Sequence, residues 1–434
     1  MANSRRQHLT KAKKSKNDEF YTQWSDIEKE INAYIEYNPN VFLGKTILLP
    51  ADDPFESNFF KFFATKFNEF GIKKLISTSY APSPIVNTQL TLLPELVPEK
   101  EIDSRRNKYI KEAYKIELTE VIDEDGIGAV NINDVITRLK KEKEKIDSGG
   151  KSSILSYLEG DKNPDNIERF SAGDFRSQEV SKLREEADII ITNPPFSLFR
   201  EFLNWINPLE KQFLIIGNMN AITYKEVFPL IKDNKIWLGT GMGRWISGFI
   251  VPDNYGLYGS EARIEKGQRI VATNNALWLT NLDHGKRHQV LSLMTMEDNI
   301  KFSKHKSIKG KSYDYYDNLD GIEVPFTDAI PKDYNGVMGV PISFLDKYNP
   351  EQFEIIGLGN SRENFTPNKD YINPKKVMKK TREIVNGGAI NQVLAIRKTI
   401  EPDINTTYYC ADNADYLIAP YARVLIKKRI GGNK

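Results

Sequence analysis

The sequence predicts an α/β protein: a doubly wound sheet with an antiparallel edge, followed by a smaller domain. Three features carry that prediction. Short apolar runs rich in β-branched residues alternate with stretches of helical periodicity up to about residue 283. The later runs of that region lie close together, as antiparallel strands do. Beyond it the alternation fades, and at 434 residues the chain exceeds one typical domain.

The elements follow in order. DIEKEINAYIEY, residues 26–37, has helical spacing of apolar residues. TILLP, residues 46–50, is a short buried strand, followed by the acidic loop ADDPFES and the aromatic helix NFFKFFATKFNEF. KLIS, residues 74–77, is the next strand, so this βαβ unit predicts parallel pairing. Residues 95–165 are charged and poor in apolar residues. They read as an insertion or excursion from the core, with a possible hairpin at VIDEDGIGAVNI, residues 121–132. ERFSAGDF, residues 168–175, returns the chain to the core.

The most informative stretch is ADIIITNPPFSLF, residues 187–199. Ile189, Ile190 and Ile191 suit a strand buried on both faces. Pro194 and Pro195 cannot donate to a ladder, so the strand ends there. Leu198, Phe199, Phe202, Leu203 and Ile206 then follow helical spacing. Ligands of open α/β sheets sit at the carboxyl ends of strands, which puts Asn193 at such an edge on backbone stiffened by two prolines. QFLIIGNMNA, KIWLG and ALWLTNL supply the later strands.

Composition narrows the class. Cys410 is the single cysteine, so no intrachain disulfide forms. His284 and His288 are four apart, but no third ligand accompanies them, and HGKRH reads as a basic surface turn rather than a metal site. No apolar run approaches about 18 residues, and the N-terminus lacks an apolar signal core, so a cytoplasmic protein without a membrane span is expected. Net charge is only +2, but residues 1–16 carry Arg5, Arg6, Lys11, Lys13, Lys14 and Lys16 and no acid. Such an arm can neutralise phosphates or serve as a solubilising tail, and composition does not choose between them. Lys, Arg and aromatic residues mix through the C-terminal region, which suits nucleic-acid contact as well as ordinary solvated surface.

With NDEFYTQ (residues 17–23), ADDPFESNFFKFFA (51–64), KKLISTSY (73–80) and ITNPPF (191–196) in view, the chain resembles the EcoRI-type DNA adenine-N6 methyltransferases. The resemblance covers most of the first 290 residues and is looser after them. It implies a Rossmann-like S-adenosylmethionine methyltransferase sheet over residues 17–290 and a target-recognition region over 291–434. It implies methyl transfer from S-adenosylmethionine to a flipped adenine in double-stranded DNA, in a restriction–modification system or as a solitary enzyme, at a short palindrome such as GAATTC.

By resemblance, Asn193, Pro194, Pro195 and Phe196 form the catalytic tetrad. Asp52, Asp53 and Pro54 meet the methionine part of the cofactor, Phe20 and Tyr21 line its side, and Asp174 and Phe175 meet its adenine. Asp52 and Asp53 are not separable by sequence, and helix capping is the competing role for them. Two departures from most methyltransferases stand out: no Gly-x-Gly loop after the first strand, and no acid after KLISTSY for the ribose. Both fit the narrower family. RNA adenine and cytosine N4 are the competing substrates, and a non-catalytic nucleic-acid-binding protein is the competing class. The missing G-x-G-x-x-G argues against a dehydrogenase. A monomer is expected; as part of a restriction–modification system it would pair functionally with an endonuclease, and as a solitary enzyme it would not.

Deleting residues 1–16 is expected to weaken duplex binding and flatten its salt dependence. Binding titrated over a salt series checks this; an unaltered slope would make the arm a bystander.

Overall fold

The computed structural model describes residues 21–50, 52–80, 113–124, 126, 128, 130–161, 170–251, 257, 262–271, 274–360, 365–411 and 414–429. The basic arm and Phe20 lie outside them. The chain forms two compact units: Met1–Met219 with Ile236–Gly285, and Asn220–Lys235 with Lys286–Lys434.

The first unit is a mixed α/β structure. Its strands are β1 (Tyr21–Thr22), β2 (Thr46–Leu49), β3 (Lys74–Thr78), β4 (Tyr114–Leu118), β5 (Leu155–Tyr157), β6 (Ile189–Thr192), β7 (Gln212–Asn218), β8 (Trp237–Met242), β9 (Phe249–Val251), β10 (Arg263–Glu265), β11 (Gln268–Val271) and β12 (Ala276–Thr280). Its helices are α1 (Trp24–Tyr37), α2 (Asn58–Thr65), α3 (Ile132–Asp147), α4 (Gln178–Glu186) and α5 (Phe199–Ile206). Eight strands form one sheet in the order β5-β4-β3-β2-β6-β7-β12-β8, and β1-β9-β11-β10 form a second.

Strands β3, β2, β6 and β7 pair in parallel, and antiparallel strands flank them on both sides. Burial explains the unbroken apolar runs. Ile47 and Leu49 face one large core with Phe59, Phe60, Phe62 and Phe63 of α2, whereas Leu48 and Ile76 face Leu183 and Ala187 on the opposite side. Helix α2 is apolar around nearly its whole circumference because it is buried there. Helix α1 is tied to the far sheet edge. Buried Glu30 accepts from the Thr240 and Gly241 amides at 2.8 and 2.9 Å and from the Tyr34 hydroxyl at 2.8 Å.

Two expectations need correction. The described part of the 95–165 segment is no mere excursion: β4 and β5 extend the central sheet and α3 packs against α2. Tyr114, Ile116 and Leu118 point inward while Lys115 and Glu117 are half-exposed, a two-residue alternation obscured by the surrounding charge. The hairpin over 121–132 does not form among the described residues. Instead Asn131 caps α3 in a reciprocal capping box with Asp134, so the local hydrogen bonds favour a helix start. Second, HGKRH is a 3-10 turn with a buried start. The His284 ring is 2.9 Å from the Leu238 carbonyl and sits edge-on to Tyr34, so it is a core histidine.

The second unit contains α6 (Phe228–Lys232), α7 (Met296–Phe302) and strands β13 (Gly321–Glu323), β14 (Val337–Pro341), β15 (Phe353–Leu358), β16 (Lys375–Val377), β17 (Ile384–Asn386), β18 (Ile396–Lys398), β19 (Tyr408–Ala411), β20 (Ala414–Ile418) and β21 (Arg423–Lys428). These form two sheets, β13-β14-β21-β15 and β17-β16-β19-β20-β18. No helix among the described residues is long and apolar enough to cross a membrane.

Asn131→Ala removes the α3 cap and should cost about 1 kcal/mol. The check is a lower denaturant midpoint with an unchanged slope.

Candidate active site

Chain order reverses between β2 and β6: β2 leads through α2 to β3 on one side, and β6 lies on the other. The loops leaving β2 and β6 therefore diverge, and such a switch point is where open α/β sheets place their ligands. ADDPFES leaves one strand there and TNPPF leaves the other. Parallel register pairs Ile47 with Ile189 and Leu48 with Ile190, so Pro50 and Thr192 come level.

One residue knots these ends together. The Thr192 hydroxyl lies 3.0 Å from the Pro50 carbonyl and 3.1 Å from Asp52 Oδ2. The Ser57 hydroxyl donates to Asp52 Oδ1 at 2.6 Å, and the same oxygen caps α2 by accepting from the Phe59 amide. The Ser77 hydroxyl, near the end of β3, donates to the Asp52 carbonyl. Burial pushes the Asp52 carboxyl up to about 7, against the opposing pull of the Ser57 and Thr192 hydrogen bonds.

Beside it lies a second acidic group. Asp53 accepts from the Tyr114 hydroxyl at 2.7 Å and from the Phe55 amide at 2.9 Å. Glu56 accepts from the Tyr21 hydroxyl at 2.6 Å, and the Asn58 amide holds the Thr22 carbonyl at 2.8 Å. Burial also raises Asp53. Lys61 is buried under the loop, donates to the Glu56 carbonyl at 2.9 Å, and is pushed down to about 8 by burial despite Glu56 and Asp53. The buried Thr22 hydroxyl has no hydrogen-bond partner among the described residues. Asp52, Asp53 and Glu56 against one lysine form a buried cradle with more carboxyls than cations.

The tetrad turn follows β6 directly. Pro194 and Pro195 are buried, and Asn193 and Phe196 are half-buried. Phe196 opens a 3-10 turn and meets Phe249 of β9 edge-on, ring centres 6.3 Å apart. Asp174 reaches the same side of the sheet through Gly173. That glycine has φ +78°, and a Cβ there would lie 1.9 Å from the Ser79 carbonyl oxygen just past β3. Arg176 grips the Asp174 carboxylate with Nε at 2.9 Å and Nη2 at 2.8 Å. Phe175 instead packs inward, 5.0 Å from Phe202 and 5.6 Å from Trp205 between ring centres.

The structure thus brings Tyr21, Asp52 and Asp53 together around the β2 loop and hydrogen-bonds Asp52 to Thr192, the residue before the tetrad. It puts the Phe175 ring in the core, and Phe20 is outside the described residues. No group of three or more potential metal ligands is assembled among the described residues. The sequence reading missed Tyr114, Glu56, Thr192 and Lys61. Glu56 and Lys61 lie within the quoted motif, and the alternation of β4 was the available signal for Tyr114.

The family model for the adenine-specific methyltransferase EcoRI matches residues 8–429. The chain belongs to that family. It is 45% identical over 353 residues to the Type II methyltransferase M.EcoRI of Escherichia coli, covering 80% of this chain and 88% of the relative. Identity is 31% to M.MgeORF184P of Mycoplasma genitalium and 29% to M.MpnI of Mycoplasma pneumoniae, both named Type II methyltransferases. Each of these matches covers 80% of this chain and 85% of the relative. No solved structure matches significantly.

Asp52 gives a signed pH prediction. Its folded carboxyl holds a proton up to about 7, whereas the unfolded one releases it near 3.8. The folded state therefore binds the extra proton between those values, and stability falls as pH rises through that window. Asp52→Asn should gain stability relative to wild type between pH 4 and 8, by roughly a few kcal/mol. Parallel unfolding curves at pH 5 and 8 test it; a pH-independent difference would mean that Asp52 ionises normally.

Proposed function

We propose that the chain transfers methyl from S-adenosylmethionine to the N6 amine of an adenine flipped out of duplex DNA, with Asn193 at the reacting centre. Family membership makes it a DNA methyltransferase of the restriction–modification kind. The proposal adds the atom, the donor and the residues. The observation that carries it is the hydrogen bond between Asp52 of the acidic β2 loop and Thr192, the residue that precedes Asn193 in the chain. The arrangement of strands and helices favours a Rossmann-like, doubly wound assignment for the first unit.

S-adenosylmethionine, when bound, supplies an electrophilic methyl on a sulfonium centre. The surplus of carboxyls over cations around Asp53 and Glu56 suits a ligand carrying ammonium and sulfonium charges, whose approach would favour the ionised carboxylates. In this reading Asp53 and Glu56 take the ammonium side, with Tyr21, Pro54 and the Thr22 hydroxyl lining it. Asp52 is committed to the strand ends and acts as a positioning residue. Asp174 receives the adenine amine of the cofactor by exchanging part of its grip on Arg176.

Adenine N6 is a poor nucleophile because its lone pair is delocalised into the ring. The Asn193 side-chain oxygen and the Pro194 carbonyl accept its two hydrogens and favour the tetrahedral geometry that attack requires. Phe196 stacks on the flipped base, and Pro195 keeps the turn rigid. Formation of the N6–methyl bond would be matched by breaking of the sulfur–methyl bond, whose electron pair would stay on sulfur. N6 then loses one proton through these acceptors to water. Positioning supplies much of the rate, so small displacements of Asn193 are costly.

The second unit is assigned target recognition, with a GAATTC-like palindrome as the first sequence to try. Each strand can be methylated in a separate event by a monomer acting in the bacterial cytoplasm, with an endonuclease reading the same site.

Asn193→Ala should lower methyl transfer by at least about 100-fold and leave cofactor affinity nearly intact. Single-turnover transfer and equilibrium binding of labelled cofactor separate the two; equal loss of both would indicate damage to the fold instead.

A further inference from the structure

The edge of the five-stranded sheet in the second unit carries an unusual hairpin, KKVMKKTREIVN, residues 375–386. Strand β16 pairs with β17, and β17 is the outermost strand. All three residues of β17 are exposed, with Ile384 64% accessible. A naked edge strand invites pairing or aggregation, so a surface of this kind is expected to be covered or protected by charge.

The charge is one-sided. The hairpin holds five cations, Lys375, Lys376, Lys379, Lys380 and Arg382, and one acid, Glu383. No carboxylate among the described residues lies within ion-pair distance of Lys375, Lys379 or Lys380, all exposed. The nearby acids have structural partners. Glu401 accepts from the Tyr408 hydroxyl at 2.6 Å and lies 3.9 Å from Arg382, and Asp403 accepts from the Asn405 amide at 2.8 Å.

The tip is fixed. Lys380 and Arg382 adopt left-handed φ of +68° and +57°, conformations that such side chains seldom take. They are held by the Lys380 amide on the Ile404 carbonyl at 2.7 Å and by Arg382 Nη2 on the Pro402 carbonyl at 2.9 Å. Arg382 also stacks over Tyr408. Strand β16 also pairs with β19, so the part that stands free is the cationic turn with the outer strand β17, and such an edge has the charge to follow a duplex backbone and meet its phosphates.

We infer that the β16–β17 hairpin is a DNA-binding arm, with Lys375, Lys379 and Lys380 on backbone phosphates and β17 laid against the duplex. This rests on the DNA reading above and adds the element that grips the substrate. The test is duplex binding by the full chain over a salt series, comparing wild type with the triple variant Lys375→Gln, Lys379→Gln, Lys380→Gln. The slope of log affinity against log salt should shrink by about 0.9 for each lysine, and affinity at physiological salt should fall. Labelled cofactor binding should stay at the wild-type level. Arginine at the same three positions should retain the slope. An unchanged slope in a glutamine variant that still binds cofactor overturns the inference while leaving the methyltransferase reading in place. Absence of duplex binding by wild type overturns both.

Discussion

A single buried carboxyl organises the candidate site. Asp52 receives one hydroxyl from Ser57 and another from Thr192, while its own carbonyl receives Ser77. Those donors belong to the cap of α2, the end of β6 and the end of β3. Parallel strands give no direct control over where their following loops point. Here the control comes from short side-chain hydrogen bonds at the place where chain order reverses. The residue after Thr192 is Asn193, so the Thr192 contacts with Pro50 and Asp52 set the spacing between the β2 loop and the Asn193 turn.

Burying such a network has an energetic consequence. Desolvation raises Asp52 and Asp53 and lowers Lys61, so the neighbourhood resists its own ionisation. A cationic ligand would relieve that resistance, because each ionised carboxylate would gain a partner in a low-dielectric setting. Stability of the empty protein and affinity for a cation are thereby linked. The buried Thr22 hydroxyl, without a hydrogen-bond partner among the described residues, belongs to the same logic, since a polar ligand group could satisfy it.

How much of this was legible in the sequence depended on range. Ile189–Thr192 and the two prolines announced strand, turn and helix because each signal is local. The βαβ unit around α2 was equally readable from its apolar runs. Tyr114 was not, since its bond to Asp53 spans 61 positions and its strand lies inside a charged segment. Thr192 was hidden for another reason: its partner is fixed by the register of β2 against β6, which no local pattern specifies. The inward turn of Phe175 likewise followed from Phe202 and Trp205, whose helix placement decides which ring space is filled. Residues 220–235, between β7 and β8, join the second unit, although nothing in their composition marks a crossing.

What distinguishes the second unit is the exposed cationic edge of its five-stranded sheet. The measurement that tests the account most directly is transfer of labelled methyl from S-adenosylmethionine to unmethylated duplex DNA, with the product base identified by mass spectrometry and its position by sequencing. The account predicts N6-methyladenine at one recurring site. Label on cytosine N4, or none in DNA while cofactor still binds, would contradict it.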